Sequence, residues 1–188
     1  MACLIDATAQ VLSEVGLEQL STNKVAKAAG VAVGSIYQYF PDKEALVRAV
    51  VQDRSGRLTQ LAVDRMAAVR ELSYTQAAET VLRAAVDFFA AEPGVIEVLA
   101  PYLAVAPSLP EAHSAVAHVH DLTRDYLSVA AADLDVPDID LAVYISIGVV
   151  SQVAPRIATV TDEATRERLI AEVVRLLARY VGAPEPTV

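Results

Sequence analysis

The 188-residue chain is 54% hydrophobic and 5% aromatic, enough to bury one substantial core or a small domain joined to a larger one, which excludes a disordered chain. Its single cysteine, Cys3, excludes an internal disulfide framework and a multi-thiolate metal site, and fits a reducing cytoplasm. The net charge of −9 is unfavourable for a phosphate-rich partner, yet residues 1–56 are nearly balanced and hold all three lysines, between positions 24 and 43.

Apolar residues recur at helical spacing almost throughout, and no alternating run bounded by tight-turn residues is present, so the chain reads as all-α with about nine helices. Leu4, Val11, Leu12 and Val15 form one face of a first helix that Gly16 closes. A compact segment follows over residues 21–41. Asp42 caps a long helix from Lys43 to about residue 69, loosened near Gly56, and Ser73 with Gln76 has the spacing of a capping box. The helix they open presents Glu79, Arg83 and Asp87 to solvent and Val81, Ala85 and Phe88 to a core. Pro101, Pro107 and Pro110 break up the next apolar stretch. A helix over about 111–132 then buries Ala112, Val116, Val119, Leu122 and Tyr126. Asp138 opens a helix to about Ala158, and Thr161 caps a last one reaching about Val181.

No uncharged apolar run reaches the roughly 18 residues that span a bilayer; the longest, 141–155, is interrupted by Ser146, Gly148, Ser151 and Gln152. A soluble, cytoplasmic protein without a membrane partner is expected.

The segment 22–40 has helix-turn-helix spacing. Ala26 is small where a second helix must approach, Gly30 can take the left-handed turn conformation, and Ile36 is apolar where a recognition helix packs back. Thr22, Ser35, Tyr37, Gln38 and Tyr39 are hydrogen-bonding groups around it, and Lys43 stands at the next helix start, where an ammonium and backbone N–H groups can clamp a phosphate.

The run from Ala26 to Leu46, with its Gly34-Ser35-Ile36-Tyr37 core and Tyr39-Phe40-Pro41-Asp42-Lys43 end, resembles the DNA-binding signature of the TetR/AcrR repressors over about residues 4–50. The resemblance implies DNA contacts from Thr22, Asn23, Val33, Gly34, Ser35, Tyr37, Gln38, Tyr39 and Lys43. Two departures stand out: Ala32 replaces a serine that caps the recognition helix in many members, and no basic arm precedes Leu4. The recognition helix lacks Arg, Lys and Asn, which leaves Gln38 to read adenine and Val33 a thymine methyl.

On this reading residues 1–45 are the DNA-binding domain and 46–188 a helical-bundle domain for ligand and dimerisation. The helix around 141–153 is apolar on all sides, and the last helix carries a wide apolar arc, so both are expected at a homodimer interface through Val149, Val153, Val173, Leu177 and Tyr180. The family implies an effector cavity among the middle helices, with Phe88, Tyr102, Tyr126 and Tyr144 as candidate lining. His113, His118 and His120 cannot all meet one metal, because His118 points away from the other two. Nucleophile-elbow, phosphate-loop and zinc-protease motifs are absent. No catalytic residue, metal or cofactor is assigned.

The expected function is a regulator, a repressor released from palindromic double-stranded operator DNA by a small apolar effector, with the helix from Lys43 as the lever. The alternatives are a helical ligand-binding dimer without specific DNA binding, and an activator of the same architecture.

Overall fold

The computed structural model describes the backbone of residues 1–105, 113–130, 134–136 and 138–184, and their side chains outside 102–116. Among the described residues the fold is all-α: α1 (Ala2–Gln19), α2 (Thr22–Ala29), α3 (Val33–Tyr37), α4 (Lys43–Ala68), α5 (Tyr74–Ala91), α6 (Pro93–Val105), α7 (His113–Ala130), α8 (Ile139–Ala158) and α9 (Glu163–Tyr180).

Side-chain caps set most of the starts by satisfying the first free N–H groups. Ser21 accepts from Lys24 N, Asp42 from Ala45 N at 2.6 Å and Asp138 from Leu141 N at 3.0 Å. Ser73 and Gln76 form the reciprocal capping box. The last helix is capped by Asp162, which accepts from Thr165 N at 2.8 Å, and not by Thr161: the carboxylate is the stronger acceptor and stands one residue nearer the first turn.

Other expectations shift by similar small amounts. α4 runs without interruption through Gly56. α6 continues through Pro101, giving up one backbone hydrogen bond, while Pro107 and Pro110 lie outside the described residues. The buried face of α5 is displaced by one residue, to Leu82, Ala85, Val86 and Phe89, because α4, α8 and α9 all pack on it. In α7 Thr123, Tyr126 and Leu127 are buried, Val119 and Leu122 half-buried, and Ala112 and Val116 lie outside the described side chains. α8 has the length and apolarity of a membrane-crossing helix, but it packs against α5, α6, α7 and α9.

One core joins a head, made of α1, α2, α3 and the start of α4, to a body made of the rest of the chain: Leu12, Val25, Ile36 and Leu46 are continuous with Leu82, Phe89, Leu99 and Ile170. A second, farther from the head, gathers Val69, Tyr126, Leu127, Val143, Leu177 and Val181. Helix α4 crosses the expected boundary at residue 45 and contributes to both cores. Where α6 begins, a Cβ on Gly94 would stand 2.3 Å from the Leu12 carbonyl oxygen and the Ser13 Cα, so only glycine allows α6 to touch α1. Glu97 fastens the same contact by accepting from Leu17 N at 3.1 Å, just beyond the kink at Gly16, whose φ is +74°.

Arg54 of α4 is 3% exposed and bonds carboxylates from three parts of the fold. Its guanidinium donates to Glu92 at 2.8 Å, to Asp6 at 3.0 Å and to Asp53. Burial opposes its charge, but these hydrogen bonds outweigh burial and raise its pKa. Arg57, more exposed, repeats two of the contacts, with Asp6 and Asp53.

Arg54→Ala is expected to cost about 2–3 kcal/mol in denaturant unfolding, below the range for a wholly buried pair because the three carboxylates keep some solvent. Arg57→Ala should cost less than about 1 kcal/mol. Equal losses for the two would show that burial of Arg54 adds nothing.

Candidate functional site

The helix-turn-helix is built from short-range bonds. Gly30 ends α2 with φ +67°, and Val31 N donates to the Ala26 carbonyl at 3.0 Å, the closing bond of a left-handed helix end. Val25, Ala26 and Ile36 are buried between α2, α3 and α1. Ala32 precedes α3 without a side-chain cap, as its apolar side chain requires.

The outward face of this unit holds most of the expected contact residues. Tyr37 and Tyr39 are 53% and 54% exposed, and Asn23, Gly34 and Gln38 are exposed beside them. Thr22, Val33 and Ser35 are half-buried, and the Thr22 hydroxyl lies 3.3 Å from the Tyr37 hydroxyl. Lys43 is half-buried, and its ammonium donates to the Leu17 carbonyl at 2.8 Å, tying the start of α4 to the end of α1. Lys24 likewise donates to the Gln19 carbonyl at 3.0 Å.

Between α4, α5, α7, α8 and α9 lies a cavity of about 830 Å³. Leu58, Leu61 and Met66 of α4 form one wall, so the helix that starts beside the helix-turn-helix ends against the cavity. Tyr126 lines it, as does Tyr144, which stands 67% exposed at its rim. Phe88 does not: its neighbour Phe89 does, while Phe88 faces a hollow of about 110 Å³ beside Arg54, the two rings meeting edge to face at 5.5 Å. Adjacent helical residues point about 100° apart, which is why one phenylalanine reaches the cavity and the other does not. Tyr102 lies outside the described side chains. Polar lining that the sequence reading missed includes Tyr74 and Ser146, whose hydroxyls are 3.0 Å apart. Their positions, 72 residues apart, carry no local signal.

The expected dimer residues divide. Val149, Val153 and Val173 are half-buried and Tyr180 exposed, whereas Leu177 is 1% exposed and lines the cavity from within the protomer. The neighbouring Leu176, 59% exposed, lies instead on an outward apolar stripe of α9 with Leu169, Val173 and Tyr180. Among the described residues no group of three or more His, Cys, Asp or Glu side chains is placed to hold a metal; His113 falls outside the described side chains.

Residues 4–50 match the family model for bacterial regulatory proteins of the tetR family, and residues 73–180 match a tetracyclin repressor-like C-terminal domain. The HTH-type transcriptional regulator BetI of Escherichia coli O17:K52:H18 is 37% identical over 84 residues, 45% of this chain and 41% of that protein. The BetI of Klebsiella pneumoniae is 33% identical over 79 residues, 42% of this chain and 40% of that one. The match thus spans about two fifths of the length of these relatives. Solved structures are similar over nearly the whole chain. FadR from Bacillus subtilis, in complex with stearoyl-CoA, has a TM-score of 0.65 at 20% identity, covering 94% of this chain and 96% of that one. A protein of unknown function from Rhodococcus sp. RHA1 has a TM-score of 0.71 at 20% identity, covering 96% and 94%.

Burial pushes the Tyr126 phenol, which donates to the Leu72 carbonyl at 2.9 Å, up to about 12. Below about pH 10 the phenol is protonated both folded and unfolded; between about 10 and 12 only the unfolded chain ionises, so stability falls there as pH rises. Tyr126→Phe should flatten that alkaline limb of a stability-versus-pH profile, and an unchanged limb would place its cause elsewhere.

Proposed function

The chain belongs to the TetR family of bacterial regulatory proteins, a family of transcriptional regulators and not of enzymes, and we propose that it is a ligand-responsive repressor of transcription. The observation that carries the proposal is the single helix α4, which begins at the helix-turn-helix and ends as a wall of the cavity. Residues 1–45 bind operator DNA, with Tyr37, Gln38 and Tyr39 of the exposed face toward the major groove and the N–H groups at the starts of α2 and α4 toward phosphates. Lys43 serves first as the tie from α4 to α1, its remaining ammonium protons being available to a phosphate.

The apolar cavity holds a small effector. That FadR from Bacillus subtilis was solved with stearoyl-CoA supports this reading, as a ligand with a long apolar chain on the same fold. Two protomers pair through the outward faces of α8 and α9, where Leu169, Leu176 and Tyr180 are exposed and Val149, Val153 and Val173, half-buried against the protomer's own core, add what apolar surface they keep. The dimer holds two recognition helices about 34 Å apart, and a shift of α4 on effector binding spoils that spacing, which releases the DNA.

Selection from a random duplex pool by the purified protein should recover a palindromic site. Tyr37→Ala and Gln38→Ala should weaken binding to it at least tenfold (about 1.4 kcal/mol) with unchanged melting temperature, because both side chains project outward. Recovery of no enriched sequence would favour the alternative of a ligand-binding dimer without specific DNA binding, which the acidic total charge suits.

Sedimentation should give a mass about twice 20.0 kDa. Leu176→Glu should yield folded monomers, whereas Leu177→Glu, which places a carboxylate in the protomer's own core, should unfold the chain. A monomeric parent protein would overturn the dimer.

A further inference from the structure

The polar groups of the cavity define a chemical class of ligand more narrowly than its apolar walls do. Four lining hydroxyls have spent their protons on backbone carbonyls: Thr59 on Ser55 (2.9 Å), Thr123 on Val119 (2.8 Å), Ser151 on Gly148 (3.1 Å) and Tyr126 on Leu72 (2.9 Å). Each oxygen keeps lone pairs and can only accept. Tyr74 and Ser146 differ, because one of them donates to the other at 3.0 Å and a single proton is left over. Burial pushes the Tyr74 phenol up, which keeps it protonated. Apart from Tyr144, whose hydroxyl is on a side chain 67% exposed at the rim and can both donate and accept, six lining oxygens among the described residues can therefore accept and one proton is free to donate.

The remaining polar lining leaves that imbalance in place. His120 and Gln152 are half-buried and each offers both donor and acceptor atoms. Arg65 and Asp121 are exposed at the rim, one charge of each sign, so the interior itself carries neither. An ionised carboxylate drawn inside would bring acceptors to a wall of acceptors and lose its hydration without a cation to replace it. A hydroxyl suits the same wall, donating to the surplus oxygens and accepting the one free proton.

We propose that the cavity selects a neutral lipophile bearing a hydrogen-bond donor, an alcohol in chemical class, whose hydroxyl is read by Tyr74, Ser146 and Thr123. This rests on the effector reading of the cavity and adds the specificity.

The experiment uses the full-length protein loaded with the neutral fluorescent probe N-phenyl-1-naphthylamine, displaced in turn by 1-decanol, 1-methoxydecane and decanoate at pH 8. Decanol should displace the probe at about tenfold lower concentration than either competitor, the difference a donor to an otherwise vacant acceptor makes. The ether carries one more carbon, so hydrophobicity alone would favour it over the alcohol. Tyr74→Phe and Thr123→Val should each erode the preference for decanol while leaving the affinity for the ether unchanged. A purely structural role would lower the melting temperature and move both ligands together.

Equal displacement by alcohol and ether overturns the proposal and leaves the apolar effector site standing. Tightest binding by decanoate also overturns it, and transfers recognition to Arg65 at the rim. A probe that does not bind, or that none of the three displaces, overturns the effector reading together with the proposal.

Discussion

The interaction on which the rest of the molecule depends is the buried charge of Arg54. A guanidinium taken out of water must find acceptors, and the acceptors that reach it come from α1, from α4 itself and from the junction between α5 and α6. Asp6 belongs to the head and Glu92 to the body, so the arginine is satisfied only when the two are correctly seated. Because it sits midway along α4, it also fixes the point about which that helix relates its two ends. The adjoining hollow is lined by Phe88 and Phe89, and Phe89 is shared with the large cavity. A single ring therefore stands between the large apolar cavity and the charged centre that joins head to body.

The division of polar groups follows the division of labour. At the head, Tyr37, Gln38 and Tyr39 expose hydroxyl and amide groups, of which the Tyr37 hydroxyl already meets Thr22 at 3.3 Å while the others keep their donors and acceptors for a partner. In the body, most hydroxyls are turned back onto their own helices, which lets α-helical walls enclose a large space without leaving buried protons unpaired. No buried side-chain polar atom among the described residues lacks a partner.

What the sequence disclosed were the features whose determinants are close together along the chain. The turn at Gly30, the small Ala26, the buried Ile36, the Asp42 cap and the Ser73–Gln76 box each depend on residues within about ten positions. The structure differs from the pattern by one residue in three places: Phe89 and not Phe88 lines the cavity, Leu176 and not Leu177 faces outward, and Asp162 and not Thr161 caps the last helix. A helical apolar arc shows that a face is buried, but which edge of it meets the protomer's own core and which is left outward depends on neighbours far away in sequence. Arg54 was invisible for the same reason. In the run Gln52-Asp53-Arg54-Ser55-Gly56 it looks like any solvated arginine, and its decisive partners lie 48 and 38 residues away.

The contact at Gly94 bears on how far the head is a detachable module. Because α6 touches the α1 backbone at Leu12 and Ser13 with no room for a single carbon, the shape of α1 there and the absence of a side chain at 94 are one joint specification. Glu97 extends it to Leu17. A chimera that grafts the first fifty residues of another family member onto this body would inherit only half of that specification. The transferable unit is discontinuous: the N-terminal helices together with the opening turns of α6, a segment from the middle of the chain.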